Sequence, residues 1–268
     1  MMRNKCEGVY TEERITIMYD EYYKKYNGLF GESLYLLKNR LVFRRNSPMQ
    51  CIYCGKKADT REHCPPKGIF LRKPYPSNLI ELPACRKCNN SYSADEEYTR
   101  DMLNCLYNKC HDTTTINYKT DIIESCDRLL YENILDDKVE NVFSKVALGH
   151  AVYELSDGFG DDDWKLGSIS IVIKNNCSAE LWNDVTAPVV LELLPEIGSR
   201  SGEQIFIVEA ISKNGEITSL PVMDWHTIQE GYYRYLAFFN KDRIIVKSII
   251  REFMCVEINF EQEKNEQN

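Results

Sequence analysis

Two pairs of cysteines place the strongest constraint on this chain. Cys51 and Cys54 form one C-x-x-C pair, and Cys85 and Cys88 form a second pair thirty residues further on. Each pair can present two thiolates to one ion from a tight turn, so four sulfurs can surround a metal. Gly55 directly follows the first pair, and glycine tolerates the positive φ that such turns use. The spacing predicts a closed four-thiolate zinc site, structural rather than catalytic.

The cysteine count and the N-terminal sequence favour a cytoplasmic, metal-binding protein rather than a disulfide-bonded one. The chain has 268 residues and 11 cysteines, an odd number. The N-terminus, MMRNKCEGVYTEERI, has no apolar core behind its basic residues and so does not resemble a secretory signal. No stretch reaches the ~18 apolar residues of a membrane span. In a reducing compartment, paired cysteines are more often metal ligands than disulfides.

Charge is divided unevenly along the chain. The net charge is −8, which alone disfavours a nucleic-acid partner. Residues 1–115, however, carry a net positive charge, and residues 116–268 hold the acidic excess. Because the local field steers a polyanion, the positive half that contains the cysteine pairs is compatible with binding nucleic acid.

The apolar pattern predicts an α+β protein with three parts. Residues 1–47 show helical spacing over 11–45 and are expected to form N-terminal helices. Residues 48–115 hold the cysteine pairs in short strands and loops, and a helix near 94–106 follows, with Ser93 and Glu96 as its capping box. Residues 116–268 form a β-rich α+β domain with an amphipathic helix over 140–157.

The β-strands of that third part are expected to be mainly antiparallel. A turn at Asn240–Asp242 joins two of them into a hairpin. The predicted strands are Ser168–Ile173, Pro188–Leu194, Gln204–Ala210, Ile217–Val222, Tyr232–Phe239, Arg243–Ile249 and Phe253–Phe260.

Four segments around the cysteine pairs resemble the zinc-binding HNH endonucleases. They read CIYCG at 51–55, REHCPPKGIF at 61–70, SNLIELPACRKCNN at 77–90 and SADEEYTRDML at 93–103. That family combines a C-x-x-C, an acidic residue with a histidine, a middle asparagine, and a second C-x-x-C followed by histidine or asparagine. The resemblance covers about residues 50–106. It implies the ββα-metal finger, in which two strands and a helix grip one divalent ion.

The resemblance also implies a metal-dependent phosphodiester hydrolase acting on nucleic acid, with DNA as the expected substrate. His63 would be the general base that takes a proton from water. Glu62 and Asn89 would bind a catalytic Mg²⁺ or Mn²⁺ through oxygen atoms, and Asn90, Asp95 or Glu96 could replace or assist Asn89. Because neighbours on a strand point to opposite sides, Glu62 and His63 can share a site only if the chain bends there.

Asn78 corresponds to the middle asparagine, which in the family pins the loop and orients the base. It lies eleven residues before Asn89, where the family's spacing is nearer nine, so a simple turn residue is the alternative. Four basic side chains beside the cysteines are the expected contacts to phosphates: Arg61, Lys67, Arg86 and Lys87.

Two alternatives stay open from the sequence. The same cysteines would serve a non-catalytic zinc ribbon that binds nucleic acid or protein, in which Glu62, His63 and Asn89 would be incidental. Residues 116–268 carry no recognisable motif and could sense a ligand, hold a protein partner or a second copy, or regulate the nuclease. A role in restriction or phage defence is implied by the resemblance alone. His111, His150 and His226 lack a comparable setting, and His150 is expected in a helix core.

Overall fold

The protein is described here by a computed structural model covering residues 50–77, 79–111, 113, 117–155, 164–192, 200–211, 214, 217–240 and 243–262. All of these residues fall within one unit, 48–268. Three predictions lie outside the described residues: the N-terminal helices over 11–45, the role of Asn78, and the two central positions of the hairpin turn, 241 and 242.

The two cysteine pairs flank a β-hairpin in sequence and meet at its open end. Strand β1 (Thr60–Cys64) pairs antiparallel with strand β2 (Ile80–Ala84), and a short helix, α1 (Lys67–Phe70), lies in the connection between them. The strands alternate between buried and more exposed residues, as a hairpin with one covered face requires. The covered face of β1 carries Glu62 and Cys64.

A series of helices follows the hairpin. Two of them, α2 (Arg86–Ser91) and α3 (Ser93–Cys110), start within or just after the second cysteine pair. They are followed by α4 (Thr120–Asp127), a π-helical turn (Arg128–Glu132) and α5 (Asp137–Glu154). The predicted helices near 94–106 and 140–157 are thereby confirmed with shifted ends, whereas α4 was not predicted.

The predicted capping box at the start of α3 is wrong. No side chain caps this helix end, and Ser93 already belongs to the helix. The Glu96 carboxylate bonds instead to Lys145 on α5. Helix α5 does have a side-chain cap, because the Asp136 carboxylate accepts a hydrogen bond from the Lys138 N–H at 3.1 Å.

The C-terminal half is built on two antiparallel sheets. The five-stranded sheet has the order β3-β10-β9-β8-β7, and the three-stranded sheet has the order β4-β6-β5. A helix, α6 (Ala179–Thr186), precedes the smaller sheet and was not predicted. The strands are β3 (Trp164–Ile173), β4 (Val189–Val190), β5 (Ile205–Ile211), β6 (Ile217–Met223), β7 (His226–Gln229), β8 (Tyr233–Asn240), β9 (Arg243–Ile250) and β10 (Met254–Gln262).

Six of these strands agree closely with predicted ones, β4 agrees only in part, and β7 was not predicted. Of the predicted strand Pro188–Leu194, only Val189–Val190 is a strand, and the residues after 192 lie outside the described part. Asn240 pairs with Arg243, as a tight hairpin between β8 and β9 requires. The α+β class is therefore confirmed.

The central strands of the larger sheet are covered on both faces. On β8, Tyr233, Tyr235 and Ala237 belong to one hydrophobic cluster, whereas Leu236 and Phe238 belong to a second. This alternation explains why β8 reads as an almost continuous apolar run. The second cluster contains Trp182 of α6 together with Met223 and Trp225 beside the smaller sheet.

Helix α5 packs between the β-hairpin and the larger sheet. Its apolar positions recur every three or four residues, and it contacts β1, β2, α3, β8 and β9. Gly149 allows the close approach, because a Cβ there would lie 2.6 Å from the Cys64 Sγ. One hydrophobic core therefore contains residues from both sides of position 115. The predicted domain boundary between 115 and 116 stays a prediction.

Candidate metal centre and the surrounding site

The four predicted cysteine ligands come together. The ligand atoms of Cys51, Cys54, Cys85 and Cys88 all lie within 4.8 Å of one another. The Sγ atoms of Cys54 and Cys85 are 3.7 Å apart, and these cysteines are free thiols. Tetrahedral Zn²⁺ with bonds of ~2.3 Å separates its sulfurs by about 3.8 Å, so the cluster has the size of such a site. The four thiols can bind one metal ion such as zinc.

Local backbone structure forms each half of the cluster. Gly55 adopts a φ of +68°, and its N–H bonds to the Cys51 carbonyl at 2.9 Å, which closes the first turn. The second pair begins α2, where the Cys88 N–H points at the Cys85 Sγ at 3.4 Å. A hydrogen bond from the Ile52 N–H to the Pro83 carbonyl joins the two halves. The C-x-x-C spacing is therefore sufficient to form both turns.

The turns also favour a thiolate at Cys51. Burial raises the pKa of the Cys51 thiol, but hydrogen bonds from backbone N–H groups of Cys85, Tyr53 and Cys54 outweigh burial and lower the pKa to about 7. Since metals bind the thiolate form, this electrostatic environment suits a ligand of a soft cation.

Glu62 does not reach an open cleft. Its side chain is 6% exposed and forms an ion pair with the Lys145 Nζ. Lys145 is in turn bonded to the Glu96 Oε1 at 2.6 Å. Burial raises the pKa of the Glu62 carboxyl, while the hydrogen bond and charge of Lys145 oppose that rise. The carboxylate predicted to bind Mg²⁺ thus already holds an internal cation.

His63 lies on the opposite, partly open side of β1. About a third of its side chain, 34%, is exposed, and its Nε2 lies 3.4 Å from the Glu81 Oε1. Partial burial and the nearby charge of Lys67 lower the pKa of His63, so the ring is neutral at pH 7. The strand is regular between Glu62 and His63, with no bend that turns them to one side. The structure does not bring these two side chains into one pocket.

Asn89 is partly exposed at the first turn of α2. Its Nδ2 donates to the Arg61 carbonyl at 3.4 Å, which ties α2 to β1 next to the Glu62–His63 pair. Glu96, which the sequence offered as a replacement for Asn89, does lie beside Glu62, but with Lys145 between them. As arranged, the side chains do not fit the expected Mg²⁺ or Mn²⁺ site at Glu62 and Asn89.

The predicted nucleic-acid contacts are at the surface. Arg61, Arg86 and Lys87 are exposed, and Lys67 is partly exposed. Arg86 and Lys87 are held at the start of α2, where the Arg86 N–H bonds to the Asp59 Oδ1 at 2.7 Å. Arg61 belongs to β1, and Lys67 is the first residue of α1.

Lys145 is the site residue that the sequence reasoning missed. The only available sign was a lysine at helical spacing with the apolar positions Val142 and Gly149. Such a residue on the apolar face of a helix needs a buried partner. The identity of that partner depends on how α5 docks on the hairpin, which the local pattern does not specify.

The other histidines behave as the sequence predicts. His150 is fully buried, its Nε2 lies 2.9 Å from the Tyr233 hydroxyl, and its ring stacks on Tyr235. The Nδ1 of His226 accepts a hydrogen bond from the Gln204 Nε2 at 2.9 Å. In the described part of the chain, the four cysteines are the only group of three or more His, Cys, Asp or Glu that could hold a metal.

No protein-family description, curated protein or solved structure matches the chain. None of the helices in the described residues has the length and hydropathy that crossing a bilayer requires. The site therefore has to be interpreted from its own geometry.

Proposed function

We propose that residues 48–115 form a zinc-stabilised module of the HNH endonuclease type that hydrolyses phosphodiester bonds of nucleic acid, with DNA as the expected substrate. The observation that supports this most is the order of elements: cysteine turn, strand, strand, cysteine turn and helix, with an accessible imidazole on the first strand. The zinc ion would bind the four thiolates and fix the hairpin against α2.

His63 is the general base of this proposal. A neutral imidazole with one side open to solvent can take the proton from an attacking water, whose oxygen then bonds to phosphorus. The P–O3′ bond breaks, and the 3′ oxygen leaves with the bonding pair and takes up a proton from solvent. Partial burial and Lys67 keep the ring neutral at pH 7. Glu81, whose Oε1 lies 3.4 Å from the Nε2, can orient the ring.

The exposed basic side chains would bind the substrate. Arg61 lies on β1, Lys67 begins α1, and Arg86 and Lys87 begin α2, all of them exposed or partly exposed. Lysine and arginine contacts to phosphates supply most of the affinity for a nucleic-acid backbone, and this affinity falls as the salt concentration rises.

A second candidate function is favoured by the ion pair of Glu62. A non-catalytic zinc module would bind nucleic acid or protein through the same surface. The internal cation at Glu62 favours it, because a carboxylate bonded to Lys145 is not free to ligate a catalytic metal. Under this alternative, His63 is a surface residue of the module.

A cleavage assay decides between the two candidates. Zinc-loaded protein is incubated with supercoiled DNA, linear DNA and RNA, without added metal and with Mg²⁺ or Mn²⁺. We expect cleavage by the wild type and a loss of about 10²–10⁴-fold in His63→Ala. His111→Ala removes an exposed histidine elsewhere and should cleave normally. Binding without cleavage under every condition, or equal cleavage by His63→Ala, would favour the non-catalytic module.

A further inference from the structure

A lysine ammonium is buried between two carboxylates beside the metal centre. The side chain of Lys145 is 1% exposed, and its Nζ bonds to the Oε1 of Glu62 and, at 2.6 Å, to the Oε1 of Glu96. The Nζ also lies 4.6 Å from the centre of the Tyr92 ring and 5.8 Å from that of Tyr53. Helix α5 thus delivers a cation into the space between β1 and α3.

The surroundings keep this side chain charged. Burial lowers the pKa of Lys145, but hydrogen bonds and charges from Glu62 and Glu96 outweigh burial and raise the pKa above its ordinary value. The aromatic faces add cation–π attraction. A buried charge is stable only when it is paired in this way.

A divalent ion and Lys145 need the same atoms. Mg²⁺ and Mn²⁺ take about six oxygen ligands, most of them waters or carboxylates. The Oε1 atoms of Glu62 and Glu96 are already bonded to the ammonium. The second Glu62 oxygen, Oε2, is also buried, and the Glu62 carboxylate accepts a further side-chain hydrogen bond from Tyr53. The Glu62 and Glu96 oxygens that a divalent ion would share are therefore already bonded to the ammonium while Lys145 is in place.

We propose that Lys145 is the built-in cation of this site, and that Glu62 and Glu96 bind a divalent ion only when its ammonium is removed. The proposal concerns cation binding alone and is independent of whether the protein cleaves nucleic acid. The Lys145 ammonium thus takes the position at Glu62 that was predicted from the sequence for Mg²⁺.

Manganese binding to zinc-loaded protein tests the proposal. Free Mn²⁺ is measured by electron paramagnetic resonance for the wild type, Glu62→Gln and Lys145→Met. We expect identical titrations for the wild type and Glu62→Gln, and one additional bound Mn²⁺ per chain in Lys145→Met. The additional ion should disappear in the double variant Lys145→Met/Glu62→Gln. Lys138→Met, which removes an exposed lysine of the same helix, should gain no Mn²⁺.

Two results would overturn the proposal. One is a Mn²⁺ ion bound by the wild type and lost in Glu62→Gln, since that ion would share the carboxylate with Lys145. The other is a Lys145→Met protein that folds by circular dichroism yet gains no Mn²⁺. If Lys145→Met does not fold, the comparison of the wild type with Glu62→Gln and with Lys145→Arg, which keeps the charge, still decides the question.

Discussion

Replacing Gly149 by alanine tests how closely α5 lies on the hairpin. The new methyl carbon would be 2.6 Å from the Cys64 Sγ and 3.0 Å from the Leu82 Cδ1. Both neighbours are buried, and the Sγ bonds to the Val146 carbonyl, so neither has open space to move into. Overpacking of this kind costs about 1–3 kcal/mol, whereas a glycine-to-alanine change in a helix gains about 1 kcal/mol.

We therefore expect Gly149→Ala to lower the free energy of unfolding by up to about 2 kcal/mol, which corresponds to a melting temperature lower by up to about 8 °C. The measurement is urea unfolding of the zinc-loaded protein followed by circular dichroism. Gly68→Ala is the matched control, because a Cβ on that helical glycine meets nothing within 4 Å. This variant should be as stable as the wild type or more stable.

A size exchange across the contact separates the steric effect from other effects. Removing the sulfur in Cys64→Ala/Gly149→Ala makes space for the new methyl group, so the double variant should lose less stability than the sum of the single variants, by about 1 kcal/mol. If Gly149→Ala is as stable as Gly68→Ala, helix α5 does not approach Cys64 of the hairpin as closely as described.

Two further predictions concern the pH dependence of stability and the binding surface. Burial lowers the pKa of His150 well below 6.5. At acid pH the unfolded chain therefore takes up a proton on this histidine that the folded protein does not. The contribution of His150 to the free energy of unfolding should be complete above pH 6.5, and the free energy of unfolding should decrease by up to ~1.4 kcal/mol for each pH unit below that value. Urea unfolding between pH 5 and 8 should show a flatter slope for His150→Gln, and an unchanged slope would contradict this. In fluorescence anisotropy titrations, Arg86→Gln should weaken DNA binding and should reduce the slope of log affinity against log salt concentration by about one. Arg243→Gln, which changes an exposed arginine of β9, should have neither effect. Equal effects of the two variants would show that the surface around Arg86 does not bind DNA.

The parts of the fold that local sequence determines were predicted well. The C-x-x-C turns need only neighbouring residues, and Gly55 supplies the positive φ of the first one. Most strands of the C-terminal half were predicted because β-branched and aromatic runs ended at turns. Helices α4 and α6 were missed because each has only eight residues, too few for a clear period.

The parts that depend on distant contacts were not predicted. Glu62 and Lys145 are 83 positions apart, and their pairing follows from the docking of α5 on β1. Glu96 was assigned to a capping box from its spacing to Ser93, but a buried ammonium offers its carboxylate a stronger partner than a helix end does. The sequence thus predicted the four clustered cysteines and missed Lys145 and the long-range ion pair that it forms with Glu62.

The zinc content and zinc coordination of the purified protein show whether the four cysteines hold one ion. We expect one zinc ion per purified chain, with four sulfur ligands at ~2.3 Å in X-ray absorption spectra, and loss of that ion in Cys85→Ser. A chain that folds without zinc, or a zinc ion bound by nitrogen or oxygen atoms, would contradict the claim that the four cysteines hold one ion and organise the hairpin.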